Sequence, residues 1–177
     1  MKEGYIYNIA LSYAKENEKL VETVYHYLKS EGLSVFFAPS KEGQMALSGM
    51  NQREVFYSVF GLQAEYVALF VSKDYIVKAV PMEEARIAFA KHENGFVIPI
   101  YLDNSELDKE MLDPKQVNYF KSANAAEIAS HIAGKIKHAK VMQKGKQINH
   151  ENGVMNVSGN MAKKQVFIQN VEGTINL

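Results

Sequence analysis

The chain has 177 residues, 47% of them hydrophobic and 23% charged, which is enough for one domain with its own core and a short appendage and excludes a fibrous or largely disordered protein. Lysine plus arginine equals aspartate plus glutamate at 20 each, so no overall positive field exists to hold nucleic acid or an anionic membrane. Cysteine is absent, which excludes disulfides, a thiolate nucleophile and cysteine-ligated metal; with neither a secretory leader nor a span of ~20 apolar residues legible, a cytoplasmic protein is expected.

Tyr5 to Tyr13 (YIYNIALSY) is a short apolar, β-rich run closed by the polar Lys15 to Glu18, the pattern of a buried strand running into a loop. Leu20, Val21, Val24, Tyr25 and Leu28 recur at helical spacing, with Gly32 where a left-handed cap is wanted. Ser34 to Phe37 is a second strand, and Ala38 to Gly49 reads as a long loop bearing Pro, Ser and Gly. Val55, Phe56, Val59 and Phe60 mark a second helix face, expected to stop at Gly61.

Tyr66 to Ser72 (YVALFVS) is continuously apolar at strand length, as a central strand covered on both faces requires. Pro81 suits a first helical position, Glu83 and Glu84 suit the first turn, and Gly95 follows, so a third helix is expected over Met82 to His92. Phe96 to Leu102 (FVIPIYL) is a fourth strand whose Pro99 belongs near a sheet edge or an irregularity. Val117 to Phe120 is a candidate fifth strand. Asn124 and Glu127 then resemble a capping box, opening a last helix with its apolar face on Ala125, Ile128, Ala129, Ile132, Ala133 and Ile136.

Strands alternating with helices imply a parallel sheet joined by right-handed crossovers. The expected fold is therefore α/β, a flavodoxin-like, doubly wound, parallel five-stranded sheet with helices on both faces. Its domain is expected over residues 1–137. From His138 helical periodicity stops and Asn, Gly and Gln dominate. Asn156–Met161 (NVSGNM) and Asn170–Ile175 (NVEGTI) repeat one pattern at an offset of 14 residues, so 138–177 reads as a β-forming tail suited to oligomerisation. The tail carries a net charge of +3 and the rest −3, an asymmetry too small to name a partner.

Several of these segments resemble bacterial TIR (Toll/interleukin-1 receptor) domains. Ile9 to Ala14 (IALSYA) is similar to the family's opening strand, Val35 to Phe37 to its second, and Leu47 to Gly49 to the junction after its BB loop. Tyr66 to Tyr75 (YVALFVSKDY) resembles the central strand with its closing S-x-x-Y, and Phe96 to Asp103 (FVIPIYLD) a later strand. Active members carry a glutamate in the helix after the central strand, within W-T-x-x-E; counted from Tyr75, that position is Glu84, with Glu83 its neighbour. The resemblance implies cleavage of the nicotinamide N-glycosidic bond of NAD+, releasing nicotinamide and ADP-ribose or a cyclic or conjugated form of it, in bacterial anti-phage immunity.

The nicotinamide of NAD+ is already a cationic leaving group, so one ionised carboxylate can suffice where ordinary glycoside hydrolysis uses two. Catalysis is thus expected of Glu84, and substrate contact of Ser12, Tyr13, Phe37, Ser72 and Val80 at the C-terminal strand ends. NAD+ enters as substrate and no cofactor is implied. The histidines lack metal-ligand spacing, and no metal is assigned. The resemblance also implies homo-oligomers, with activity that depends on assembly, and a separate effector protein that senses the product. Two departures from the pattern, Val80 for the tryptophan and Ala38 for an acidic residue, keep open a non-catalytic adaptor or scaffold. A receiver- or flavodoxin-type function lacks its acidic cluster or flavin phosphate loop.

Overall fold

The computed structural model describes residues 4–91, 96–111 and 119–142. Five strands form one sheet in the order β2-β1-β3-β4-β5, every neighbouring pair parallel. They are β1 (Tyr7–Tyr13), β2 (Val35–Phe36), β3 (Ala64–Val71), β4 (Val97–Tyr101) and β5 (Phe120–Lys121). The chain steps from β1 outward to β2 and returns to β3 on the other side of β1. The order therefore reverses between β1 and β3, where an open parallel sheet leaves a crevice beyond its C-terminal strand ends.

All eight residues of β3 are buried, which is why this segment is continuously apolar but for Glu65. Pro99, in β4, sits opposite Leu69 of β3. On its other side the pairing with β5 begins only at Ile100, so the missing N–H of the proline is not demanded there by β5.

Helix α1 (Glu18–Ser30) buries Val21, Val24, Tyr25 and Leu28 and packs on β1 and β2; the chain leaves it through Gly32 at φ +78°, the left-handed conformation that glycine adopts without a Cβ penalty. On the opposite face, Ala10, Val67 and Leu69 meet α3 (Gln52–Ser58) and α5 (Ala79–Lys91) through Val55, Phe56, Ala85 and Ala88. The two periodicities account for this layout: strand residues two apart share a face, while helix residues three and four apart share a stripe.

Several segments depart from the sequence expectation. The stretch read as a loop after β2 contains a two-turn helix, α2 (Lys41–Leu47), begun by Ser40, whose Oγ accepts from Gly43 N at 3.0 Å. Gly61 does not end its helix: α3 continues as a wide π-turn over Val59–Gln63, and Gly61 packs closely against Ile87 and Lys91 of α5. Pro81 stands in the third rather than the first position of α5, still within the turn whose N–H groups lack helical partners. The last helix, α6, runs over 125–142, past His138. Asn124 Oδ1 caps it by accepting from Ala126 N and Glu127 N, whereas the Glu127 carboxylate accepts from Ser122 Oγ instead of closing a capping box.

The first strand begins at Tyr7 rather than Tyr5, and the fifth begins at Phe120; residues 117 and 118 lie outside the described residues. The chain divides into compact units of Met1–Gly134 and Lys135–Leu177, and of the second only residues 135–142, all helical, are described. The repeat-bearing tail from 143 onward lies outside the described residues. No described helix is long and apolar enough to cross a membrane.

A side chain at Gly43 would place its Cβ 2.3 Å from the Phe37 carbonyl oxygen and 2.7 Å from that of Ala38. Gly43→Ala is expected to cost about 1–3 kcal/mol in urea denaturation, as overpacking against fixed backbone does. Met45→Ala, on the exposed side of the same helix, should stay within about 0.5 kcal/mol of wild type.

Candidate active site

Glu84 lies in the second turn of α5 and is only 7% exposed. Its partner is Ser12 near the end of β1, whose Oγ is 2.6 Å from Glu84 Oε2. The pairing of Ser12 with Leu69 across β1 and β3 puts the serine at the strand reversal, on the face that α5 covers. Ser12 Oγ also lies 2.7 Å from the hydroxyl of Tyr75, which donates to the Pro81 carbonyl at 2.9 Å. Tyr75 belongs to α4 (Lys73–Ile76), whose first turn is capped by Ser72: Ser72 Oγ accepts from Tyr75 N at 3.2 Å and donates to Asn17 Oδ1 at 2.8 Å. Three side chains from β1, α4 and α5 thus converge in a buried polar chain.

Burial pushes the Glu84 carboxyl up to about 8; the Ser12 hydrogen bond opposes that shift, and the like charge of Glu83 adds to it. Sequence reasoning assumed an ionised carboxylate, whereas this environment favours the acid near neutrality. Burial likewise raises the Tyr75 phenol, so it stays protonated across the working range.

Glu84, Val80, Glu83 and Ile87 of α5 form one wall of a cleft of about 100 Å³, closed on the other side by Gln52, Arg53 and Phe56 of α3. Val80 is 49% exposed, a small apolar surface on that wall. Arg53 is the single cation of the lining; its side chain reaches across to Glu83, Nη2 to Oε1 at 2.7 Å.

The other expected contact residues sit differently. Tyr13 is half-buried and packs at 5.6 Å between ring centroids against Phe37, and Phe37 stacks on Tyr25 at 5.0 Å. Phe37 is fully buried, so its ring presents no open face in this arrangement. Ser72 is buried and engaged as a helix cap. Of the six residues singled out, Glu84 and Val80 line the cleft, Ser12 holds Glu84 from behind, and Ser72 positions the helix that carries Tyr75. Arg53 and the hydroxyl of Tyr75 escaped sequence reasoning: Arg53 sits on the polar side of an amphipathic helix, and Tyr75 was noted only as the close of a strand motif. No group of three or more His, Cys, Asp or Glu side chains able to hold a metal occurs among the described residues.

The chain is 30% identical over 139 residues to the 3' cyclic ADP-D-ribose synthase AaTIR of Aquimarina amphilecti, an alignment covering 76% of this chain and 41% of that protein, so the chain spans less than half the length of this relative. Among solved structures, a TIR-STING receptor of C. gigas in complex with 2',3'-cGAMP superposes with a TM-score of 0.61 at 16% identity, over 77% of this chain and 41% of that one. The TIR domain of the Toll-related receptor TRR-2 of Hydra magnipapillata gives 0.53 at 16% identity, over 65% and 83%. At such identities these two likenesses speak for the fold alone. Residues 9–134 match the family described as TIR domain, which takes in β1 through most of α6, and the chain therefore belongs to the TIR-domain family.

Proposed function

We propose that this TIR domain is an NAD+ nucleosidase that breaks the bond between nicotinamide and C1′ of the ribose, with Glu84 as its catalytic carboxylate. The observation that carries the reading is a glutamate held in the wall of a small cleft by a hydrogen bond to a neighbouring strand, in a chain related to a cyclic ADP-ribose synthase. The electron pair of the breaking bond leaves with nicotinamide, which departs neutral, and positive charge develops at C1′. Ionised Glu84 stabilises that charge, an effect enlarged by the low dielectric of a dry site. Water capture gives ADP-ribose and a proton; capture by a hydroxyl of the same molecule gives a cyclic product. No metal or cofactor enters these steps. NAD+ itself supplies the cationic leaving group.

Arg53 is suited to the pyrophosphate, since a guanidinium forms paired, charge-assisted bonds to phosphate oxygens and can exchange Glu83 for them. Val80 gives the reacting ring an aliphatic rather than aromatic wall. Depletion of NAD+ or release of a nucleotide signal to a separate effector would serve the anti-phage role that the sequence resemblance implies, and assembly into homo-oligomers would regulate it. A non-catalytic scaffold is the second reading, favoured by the buried Phe37 ring and by Val80 in place of an aromatic.

Incubation of the purified protein with NAD+, read by chromatography of nicotinamide and the ADP-ribose species, decides between the two readings. Glu84→Gln should lower kcat by about 100-fold or more, as loss of a transition-state charge partner does. Glu83→Ala should be far milder. Persistent absence of nicotinamide release by concentrated wild-type protein would select the scaffold.

Arg53→Ala is expected to raise KM for NAD+ about tenfold, the loss of one charge-assisted contact, while leaving kcat within a few-fold.

Since Glu84 is an acid below about 8 in the free protein, kcat/KM should climb as pH rises through that value. The sign for stability is opposite. A carboxyl raised in the folded state binds a proton that the unfolded chain has released, so stability falls as pH rises from about 4.5 toward 8. Glu84→Gln removes this loss: its melting temperature should exceed that of wild type at pH above neutrality, and the gap should close toward acid pH, measured by calorimetry across the pH series.

A further inference from the structure

The chain of contacts ending on Glu84 contains more hydrogen bonds than hydroxyl protons. Tyr75 Oη lies 2.9 Å from the Pro81 carbonyl oxygen, an atom that can only accept, so the single phenolic hydrogen is committed there. Ser12 Oγ, 2.7 Å away, must then give its own hydrogen to the tyrosine oxygen. The 2.6 Å contact between Ser12 Oγ and Glu84 Oε2 is left without a hydrogen unless the carboxyl brings one. We infer that the resting protein keeps Glu84 as a carboxylic acid at the head of a one-way chain, Glu84 to Ser12 to Tyr75 to the Pro81 carbonyl, and that Tyr75 is a positioning residue that governs whether Glu84 is charged.

Ionisation breaks the chain at a defined point. The carboxylate can only accept, so Ser12 must turn its hydrogen back to Glu84. Tyr75 then either keeps the Pro81 contact and faces the serine with oxygen against oxygen, or turns to Ser12 and abandons Pro81. One of the three contacts is lost in both cases, within a site where Ser12 and Tyr75 are sealed from water. The proton leaves from Glu84 through the cleft to water.

The neighbouring charges do not reverse this preference. On α5, Glu83 adds like charge, and the α3 cation nearest the site, Arg53, is paired with Glu83. On β1, Tyr13 carries no charge, its phenol raised by burial and by Glu18 of α1. Lys78, ahead of α5, is engaged by Glu16. None of the ion pairs among the described residues includes Glu84. The inference deepens the proposed function, because a resting acid must ionise before it can stabilise a cation. A cationic substrate in the cleft would itself favour that ionisation, making charge on Glu84 a consequence of binding.

The test is a titration of the Glu84 carboxyl in the full chain, by carbon NMR of glutamate-labelled protein with the resonance assigned by its loss in Glu84→Gln. In wild type the midpoint is expected well above the ordinary carboxylate range. Tyr75→Phe removes the oxygen that competes for the serine hydrogen, so Ser12 is free to stabilise the carboxylate and the midpoint should fall. The fall is expected to be at least about threefold in the ionisation constant. A wild-type midpoint in the ordinary range, or a Tyr75→Phe midpoint at or above that of wild type, overturns the inference, and the wild-type titration decides even if the variant fails to fold. Turnover is read separately: failure to release nicotinamide, with the titrations as expected, would sink the proposed function and leave the proton chain standing.

Discussion

A carboxyl group withdrawn from water must be met by hydrogen-bonding groups that the fold itself supplies, and in this protein that demand falls on Ser12. The serine sits near the end of β1, at the reversal of strand order, so it is held in register by β3 while facing α5. Tyr75 approaches from α4 and Glu84 from α5, and both helices follow β3 directly in the chain. The contact between Ser12 and Glu84 thus joins the strand that opens the fold to the helix that closes the cleft. Displacement of any one of the three elements would alter the ionisation of the carboxyl before it altered the outline of the domain.

Much of the architecture was legible in sequence because burial writes itself into periodicity. The run from Tyr66 to Val71 can be apolar throughout only where both faces are covered, and the spacing of Val21, Val24, Tyr25 and Leu28 describes a single helical stripe. Glu84 was legible by another route: its distance from the central strand matched a family pattern, since an acidic pair near a helix start is equally well explained by the helix dipole. What stayed hidden depended on contacts between distant residues. Ser12 is separated from Tyr75 by 63 positions and from Glu84 by 72, and nothing in the local sequence of any of them announces the others. The short α2 was hidden for a different reason: with a glycine inside it and one buried residue, it has no apolar stripe to detect. Gly61 looked like a stop because glycine usually is one, whereas here its missing side chain admits α5.

The same cleft sets two opposing requirements on Glu84. A dry surrounding strengthens the field a carboxylate exerts on a developing cation, yet it discourages the carboxylate from forming. In the proposed cleavage of NAD+, substrate charge would resolve the conflict by arriving before the chemistry, because the pyridinium and the carboxylate would then stabilise one another. Arg53, poised on Glu83 rather than Glu84, leaves the Glu84 carboxyl without a permanent counter-ion.

The seating of α2 has a consequence for how this surface can diversify. Gly43 is the one buried residue of that helix and rests directly on the carbonyls of Phe37 and Ala38, while the neighbouring Lys41, Glu42 and Met45 face outward. The helix therefore behaves as a cassette pinned at Gly43, with Ala46 and Leu47 packed against the core beneath it. Its outer lettering can drift toward new neighbours at small cost to folding, provided the pin remains glycine. A lineage could rewrite what this edge of the domain touches while inheriting the chemistry beneath it unchanged.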